Sequence, residues 1–527
     1  MTRRQTLEAL SGMLLAMFTA FLSSTIVANA LPTIVVTLHG TQHQYTWVVT
    51  ATLLASTATT PIWGKFADLF DKKLLVQLSI TIFTVGSVLA GFAQSMETLI
   101  VWRTLQGLGL GGLQALIVIV MAAIISPRER GRYTGLIATV MSVAPVAGPL
   151  LGGVIVDAPG LGWRWCFWVG VPLAVIALVV LQRTLKLPVI KRQVSIDYLG
   201  AALIAGGVSD LLIWITLAGS DFAWDSPTSF LLAGLGIALL AAALVVEAKA
   251  KEPIIPLRLF RDRTTTLATI GSIAVGVAMF GGAVFLGQYF QIARGYSPTV
   301  SGLLTLPMIV GSTLSSTLSG ILITRFGRWK RYIVGGGVLT LVGFGLLATI
   351  DHTTDMVLLG AYLFLLGSGM GMTMQNLVLA VQNSVAARDL GAASSTVSFF
   401  RSLGGTAGVS VLGAVLANHV TALIAQRLPA GSGSAGLGDL ADLPPAIATI
   451  VRESYGDATA LIFLVSAGLA LVSLIAILAI REVPLRTETG IERERAEAAA
   501  EAARTAAQQA THQTPAARSA SPEPGSS

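Results

Sequence analysis

The sequence consists mainly of long apolar runs that follow one another with little polar sequence between them. An α-helix needs about 20 apolar residues to cross the roughly 30 Å hydrocarbon core of a bilayer, and it satisfies its own backbone hydrogen bonds there. Only 12% of the 527 residues are charged and the mean hydropathy is +0.76, whereas soluble proteins carry about 25% charged residues. The sequence therefore predicts an all-α polytopic membrane protein and excludes a string of soluble domains. We predict fourteen transmembrane helices, at 9–33, 46–66, 74–93, 98–122, 133–156, 166–185, 198–218, 229–247, 265–290, 299–323, 331–350, 356–382, 389–416 and 458–480.

The cationic residues are distributed unevenly over the segments between these spans. With the N-terminus inside, 28 of the 34 lysines and arginines lie on the side that holds both termini, four lie on the other side, and only Arg103 and Arg401 lie well inside spans. Cationic residues collect in cytoplasmic loops, so we expect a multi-pass protein of the cytoplasmic membrane with both termini in the cytoplasm. The net charge of +7 then needs no nucleic acid partner. The excess of arginine over lysine suggests a bacterial source with GC-rich DNA.

A degenerate internal repeat indicates how the spans are grouped. The segment from Gly64 to Lys73 follows span 2, and a similar segment from Gly320 to Arg331 follows span 10. Two parallel halves are a common plan among membrane transporters, and this spacing predicts two six-helix halves with two inserted helices between them. The predicted units are an N-terminal half (1–190), the inserted pair with its flanking loops (191–263), a C-terminal half (264–480) with a long outside loop (417–457), and a largely disordered cytoplasmic tail (481–527).

The segment after span 2 contains the residues of a possible conformational latch. Asp68 lies at a helix end near Gly64, Lys72 and Lys73. There a carboxylate can accept bonds from unpaired helix-terminal N–H groups and pair with a cation. Such a contact can break when two halves move, so we predict a latch. The alternative is a static loop salt bridge worth about 0 to 1 kcal/mol when exposed.

Three ionisable residues lie deep in predicted spans, where a charge is costly and usually functional. Arg103 is expected to face a polar interior, although its side chain can also reach the outer surface. Asp210 is the only deep acidic residue, and it is our leading candidate for a proton or cation site; the alternative is a neutral carboxylic acid that joins span 7 to a neighbour. Arg401 can attract an anionic substrate, pair with an acid, or reach the cytoplasmic boundary.

A large apolar pocket with a few polar groups suits varied amphiphilic compounds, and several polar and aromatic side chains within spans are candidates to line one. Each of them is individually also compatible with helix packing. No P-loop of the G-x-x-x-x-G-K-[ST] type is present, so we expect that ATP does not drive this protein directly. We also expect no other cofactor and no metal. The candidates to line the substrate pocket are Ser23, Asn29, Gln106, Gln288, Tyr289, Gln375, Asn376, Gln382, Asn383, Phe399 and Arg401.

Four motifs on the expected spans resemble the fourteen-span drug:proton antiporter branch of the major facilitator superfamily (EmrB/QacA type). They are Thr25–Pro32 in span 1, Gly64–Lys73 after span 2, Leu99–Gly107 in span 4, and a span 5 motif that contains Pro145, Gly148, Pro149, Gly152 and Gly153. The proline and glycine residues of span 5 allow close approach and bending of helices.

The resemblance implies a monomeric exporter, and no enzyme, that moves hydrophobic or cationic drugs out by alternating access in exchange for protons. It also implies a role of Arg103 in proton coupling and of the span 5 motif in sealing the central cavity.

One departure from that branch concerns the proton carrier. The branch usually has an aspartate in span 1 at the position of Ser23, and a serine hydroxyl does not exchange a proton near neutral pH. This leaves Asp210 and Arg103, with Asp68, as the proton-coupling candidates. Two other readings stay open: export of one dedicated metabolite or antibiotic, and a membrane receptor or scaffold without transport.

Overall fold

In a computed structural model, the described residues are 3–40, 42–158, 161–185, 187, 197–219, 222–250, 252–296, 298–427, 445–497, 499, 500 and 503. These residues are almost entirely helical, and the only β-contact among them is an isolated bridge between Ala218 and Phe222. The predicted all-α fold is confirmed. The helices are α1 (Arg3–Thr37), α2 (Gln42–Leu69), α3 (Lys72–Gly91), α4 (Met96–Ile124), α5 (Pro127–Asp157), α6 (Trp165–Trp168), α7 (Gly170–Thr184), α8 (Tyr198–Leu217), α9 (Pro227–Lys249), α10 (Arg263–Gln288), α11 (Pro298–Leu304), α12 (Leu306–Phe326), α13 (Lys330–Leu347), α14 (Met356–Ser384), α15 (Leu390–Arg427) and α16 (Pro445–Ala479).

Eleven helical stretches within the described residues are long and apolar enough to cross a membrane. They coincide with eleven of the predicted spans. The long helices α2, α5 and α10 are not among the eleven, but they lie at predicted spans 2, 5 and 9. The structure thus supports a multi-pass membrane protein, and the number of fourteen spans stays a prediction.

Polar residues in the short loops set the starts of several helices. Asp71 accepts a bond from the Lys73 amide at the start of α3, and Asp355 accepts bonds from two amides at the start of α14. Ser95 and Thr98 form a capping box at the start of α4. Such caps satisfy amide groups that lack a partner inside the helix, so the breaks between apolar runs become tight turns.

The helices pack in two groups. In the first group (α1–α7), α4 packs between α2 and α3, and α1 packs against α5 and α7. In the second group (α10–α16), α14 packs between α12 and α13, while α10 packs against α15 and α16. The pair α8 and α9 packs on itself and touches α2 and α15. The two groups meet mainly along α2–α15 and along α5–α12, with further contacts between α4 and α15.

We call one end of the bundle the terminal face: there α2, α4, α14 and α16 end, and α5 and α15 begin. The charge distribution predicts that this face is cytoplasmic.

Helix occupies both ends of the segment that was predicted as the outside loop 417–457. Helix α15 continues to Arg427 and α16 begins at Pro445, and residues 428–444 lie outside the described residues. Helix α16 runs without a break from Pro445 to Ala479. Val451 and Ala458 on α16 join a buried cluster with Leu416 and Val420 on α15, which explains why both helices extend.

The prediction of a largely disordered tail is wrong for residues 481–497. This segment follows α16 across the terminal face, and 490–497 form a further helical turn or two. Leu485 and Arg493 are buried. The segment is held chiefly by polar contacts. Most residues beyond Glu497 lie outside the described residues.

Candidate functional site

A buried polar network surrounds Arg103 inside the first helix group. The guanidinium is 2% exposed. Its Nε donates to the Val48 carbonyl at 3.3 Å, and its Nη1 donates to Oε1 of Gln106 at 2.5 Å. Gln106 Nε2 in turn donates to Oγ of Ser87 at 2.6 Å and of Ser23 at 3.3 Å. Arg103 is therefore held by neutral groups, and no salt bridge among the described residues includes it.

This network includes Ser23, the position at which the antiporter branch that the sequence resembles usually has an aspartate. Only Gln106 separates the Ser23 hydroxyl from the Arg103 guanidinium. A carboxylate at this position would be separated from the buried Arg103 guanidinium only by the Gln106 side chain. In this chain the same place holds a hydroxyl, which donates or accepts hydrogen bonds but carries no charge.

The carboxylate of Asp68 joins the two helix groups at the terminal face. Its Oδ1 accepts from the Gly391 amide and its Oδ2 accepts from the Ala392 amide, each at 2.8 Å. These amides belong to the first turn of α15, where N–H groups have no partner within the helix and the helix dipole favours an anion. Asp68 at the end of α2 thus caps a helix of the other group.

Two glycines allow the close approach that this contact requires. A Cβ on Gly64 would lie 1.8 Å from Oγ of Ser395 on α15, and a Cβ on Gly391 would lie 2.4 Å from Oδ1 of Asp68. No side chain fits at either place unless the helices move apart. The glycine at position 64 therefore sets the spacing of the α2–α15 seam.

The lysines of the predicted latch make other contacts. Lys73 Nζ donates to the Gln182 carbonyl at 2.9 Å, inside the first group, while Lys72 lines a small cavity beside Asp68. The buried Lys65 pairs with Glu252 at 2.5 Å. That pair joins α2 to the segment after α9, so it adds the inserted helices to the terminal-face contacts.

A second charged contact between the groups lies at the end of α14. Arg130, near the start of α5, is 2% exposed, and its Nη1 donates to Oε1 of Gln382. Its Nε and Nη2 donate to the carbonyls of Ile125 and Ala122, each at 3.0 Å. Gln382 lies in the last turn of α14, the end that favours a cation. Gln382 and Asn383, expected to line a cavity, are instead part of this closed face.

The span 5 motif packs closely against α1. A Cβ on Gly148 would lie 2.1 Å from Oγ1 of Thr25, and Thr25 Oγ1 also contacts the Ala144 carbonyl at 3.2 Å. Gly152 is buried. The backbone of α5 passes through the whole motif, but the side-chain surroundings of Pro145, Pro149 and Gly153 lie outside the described residues.

The structure does not bring Asp210 to the other proton-coupling candidates. Asp210 lies on α8 against α9, where a Cβ on Gly236 would lie 2.7 Å from its Oδ2. That oxygen is buried without a hydrogen-bond partner among the described residues. The α8 residues that face α2 and α15 are Ile204, Val208 and Leu212, which lie on the opposite side of the helix. Asp210 thus belongs to the α8–α9 seam.

The predicted pocket residues of the second group separate into two sets. Gln288 accepts from the Tyr455 hydroxyl at 3.0 Å, and the Tyr289 hydroxyl donates to the Asp351 carbonyl at 2.7 Å. Both therefore take part in contacts at the end opposite to the terminal face. Asp351 lies in the loop before α14, where bonds from the Thr353 side chain lower its pKa.

The other set contains polar groups without partners. Asn376 donates to the Met372 carbonyl, but its Oδ1 is buried with no hydrogen-bond partner among the described residues, and the same holds for Nη1 of Arg401, a residue that is 9% exposed. Gln375 is also buried, and Phe399 packs against α2 and α8. Asn29 lies within α1, but the surroundings of its side chain are not among the described features. Buried polar groups are nearly always bonded to protein, water or ligand, so Asn376 and Arg401 are the best candidates here for a ligand contact.

Comparison with known proteins agrees with this arrangement of helices. The sequence profile described as Major Facilitator Superfamily matches residues 13–409. The chain belongs to the major facilitator superfamily. Members of this superfamily are membrane transporters, so the general function of this protein is transmembrane transport.

Two relatives and one solved structure are similar to this major facilitator protein. The uncharacterized MFS-type transporter Rv1877 of Mycobacterium tuberculosis (strain ATCC 25618 / H37Rv) is 36% identical over 480 residues, which cover 90% of this chain and 69% of that protein. The multidrug transporter protein MdtP of Bacillus subtilis (strain 168) is 35% identical, over 80% of this chain and 77% of that protein. The structure of the proton:xylose symporter XylE covers 94% of this chain and 99% of that chain, with a TM-score of 0.64 and 11% identity, a likeness of fold alone.

Sequence reasoning missed Arg130 and Arg493, two of the buried arginines of the major facilitator protein. Both were counted with the cationic residues that mark the cytoplasmic side. Arg128, two residues from Arg130, is exposed while Arg130 is buried, and nothing in the local sequence separates them. The polarity of Gln382, by contrast, marked it as a functional candidate. The sequence predicted that it lines a cavity, whereas in the structure it accepts a bond from Arg130.

Proposed function

We propose that this protein exports amphiphilic compounds across the cytoplasmic membrane by alternating access, in exchange for protons. The names of similar proteins support the efflux of drugs: MdtP is a multidrug transporter protein, and a 31% identical protein of Dothistroma septosporum is the efflux pump dotC. The observation that carries the proposal is the closed terminal face. It is held by charged side chains of one helix group on the helix ends of the other.

The chemistry of this closure suits a reversible seal. Asp68 accepts bonds from two amides at the start of α15, and Arg130 donates to the Gln382 side chain in the last turn of α14. Each charge thus lies near the helix end of opposite polarity. Both contacts cross between the groups, and neither is a hydrophobic core contact. When the groups rock apart, water can solvate the charges and the helix ends again. We infer that these two contacts break when the protein opens to the cytoplasm, with the termini and the terminal face on that side.

Of the candidates for proton coupling, Asp68 is best placed to convert protonation into movement. An ionised carboxylate accepts both α15 amides, whereas a protonated one offers one strong acceptor and a hydroxyl hydrogen. Protonation of Asp68 therefore weakens the seal between the groups. Arg103 serves in this scheme as a fixed buried cation that orders the Ser23–Gln106 network, and Asp210 is a secondary candidate because it lies in the α8–α9 seam.

The charge of the interior favours a second candidate substrate class, amphiphilic anions. The branch resemblance implies cationic drugs. Yet Arg103 and Arg401 are buried without an acidic partner in the described residues, and Nη1 of Arg401 is unbonded. A buried unpaired cation attracts an anion and repels a second cation. The inside-negative membrane potential also drives an exported anion outward, at about 2.3 kcal/mol per charge per 100 mV. Export of an anion therefore depends less on a proton-carrying carboxylate in span 1.

The predicted units are consistent with this scheme and remain part of the proposal. The protein acts as a monomer with fourteen spans, in which two halves, 1–190 and 264–480, move relative to each other. The inserted helices (191–263) support α2 and α15. A dedicated metabolite is an equally suitable cargo for such a protein.

The proposal is tested with purified protein in liposomes under an imposed pH gradient. Three dyes that share one scaffold and differ only in carrying a carboxylate, an ammonium group or no charge measure both transport and charge preference. Saturable uptake that collapses with the gradient supports proton antiport. Absence of transport of all three dyes, with the Asp68→Asn and wild-type proteins equally inert, would favour a receptor or scaffold.

A further inference from the structure

The segment 481–497, which we call the terminal strap, is firmly attached to the second helix group. Glu482 Oε1 accepts from the amides of Trp329 and Lys330 at 2.9 and 3.2 Å. The Trp329 indole donates to the Val483 carbonyl at 2.8 Å. Asn383 at the end of α14 makes two bonds to strap backbone groups, at Pro484 and Arg486. These contacts anchor the strap at the end of α14 and the start of α13.

The last part of the strap continues the anchorage on the same group. Arg493 is 3% exposed, and its Nη2 and Nη1 donate to the carbonyls of Val385 and Gln382 at 2.5 and 3.4 Å. Glu497 accepts from the Ala387 amide at 3.1 Å. Burial and the nearby Arg486 lower the pKa of Arg493, so this site is a costly one for a cation. The carbonyls at the end of α14, where the helix dipole is negative, offset that cost.

The strap touches the first helix group in a different and weaker way. One backbone bond joins the Arg128 amide at the start of α5 to the Arg486 carbonyl, at 3.3 Å. Gly490 lies close to the end of α4, since a Cβ there would lie 2.8 Å from the Ala122 carbonyl oxygen. Ile491 and Glu494 line the small cavity that also includes Asp68 and Ala123. The buried cation of the strap, Arg493, therefore lies on the second group, and the strap's described contacts with the first group are one backbone bond and close packing.

We propose that the terminal strap is a cytoplasmic gate: it moves with the second helix group and closes against α4 and α5, directly over the Asp68 contact. The inference rests on the proposed transport function. The asymmetry of the described contacts carries it, because a segment that makes most of its described bonds to one group separates from the other group when the groups part. In this scheme the strap adds to the seal made by Asp68 and Arg130, and loss of its anchor opens the terminal face.

The gate predicts how the anchor residue affects access to the seam between the groups. Ser395, buried against Gly64, is replaced by cysteine as a reporter, and its reaction with a membrane-impermeant maleimide is followed from the terminal face. Cys166 is the single native cysteine and is fully buried, so it gives a low background. Arg493→Ala should raise the labelling rate roughly tenfold, as expected for loss of hydrogen bonds from a charged group. The matched control Arg495→Ala, at an exposed position of the same turn, should leave the rate unchanged. Equal rates in the two variants would overturn the proposal.

Cross-linking distinguishes a gate from simple packing and keeps the test valid if the reporter variant folds poorly. Ala123→Cys with Ile491→Cys joins the strap to the first group, and Ala387→Cys with Glu497→Cys joins it to the second. After treatment with a short bis-maleimide, the first pair should lose at least about nine-tenths of dye transport in liposomes, and the second pair should keep its transport. Transport by both untreated proteins verifies the underlying transport function separately. Full transport by the cross-linked first pair would contradict a gating role.

Discussion

Replacing Asp68 by asparagine changes the charge at the contact between the helix groups while keeping its size. The aspartate accepts two α15 amides at 2.8 Å each, and the asparagine keeps one acceptor oxygen and turns an NH₂ group toward the other amide. A hydrogen bond to a charged group contributes about 1.5 to 3 kcal/mol. Loss of one such bond and weakening of the other should therefore cost the closed state roughly 2 kcal/mol, a shift of about 30-fold in the ratio of closed to open protein.

The assay for this shift is the labelling of a cysteine at position 395 from the terminal face, measured as a rate in liposomes. The matched control is Asp71→Asn. Asp71 lies three residues further on and caps α3 through the Lys73 amide, so it contributes only to the first group. We expect faster labelling for Asp68→Asn alone. If the two variants label at the same rate, Asp68 does not hold the groups together and the proposed latch is refuted.

Three further variants test other parts of the account. Gly64→Ala should slow or abolish transport, because its Cβ would lie 1.8 Å from Oγ of Ser395, and Ser395→Gly in the same chain should restore activity; transport by the single variant at the wild-type rate would show that the seam does not need this spacing. Ser23→Asp should strengthen the dependence of dye transport on an imposed pH gradient, because it places a carboxylate one side chain from a buried guanidinium, whereas Ser24→Asp should not; equal pH dependence of both would remove this network from proton coupling. Asp210→Asn should retain most proton-coupled transport, because the carboxylate lies in the α8–α9 seam, and complete loss of coupling would reinstate Asp210 as the proton site.

The apolar runs and the polar residues between them were sufficient to predict the class of fold. A run of about 20 apolar residues has no other stable solution than a buried or membrane helix, and aspartates such as Asp71 and Asp355 begin helices as expected of N-caps. Helix ends were less predictable. The continuation of α15 to Arg427 and the start of α16 at Pro445 accompany a buried cluster that includes Leu416 and Val451, two residues that are distant in sequence.

The candidate site was predictable in its residue types but not in its partners. The sequence showed that Asp68 can cap a helix end, and only the fold places that end on α15, more than 300 residues away. The direction of Asp210 toward α9 depends on how α8 rotates against its neighbours, which its almost uniformly apolar sequence does not specify. Arg130 and Arg493 have the same local features as exposed arginines, so their burial at the end of α14 follows from tertiary packing alone.

The most direct test of the central claim is a distance measurement across the terminal face. Spin labels are attached to cysteines at Phe70, exposed at the end of α2, and at Arg388, exposed just before α15, and their separation is measured by pulsed electron spin resonance in lipid. Alternating access with a latch at Asp68 predicts a short and a long distance, with Asp68→Asn shifting the population to the long one. A single short distance that neither Asp68→Asn nor a transported dye changes would contradict it.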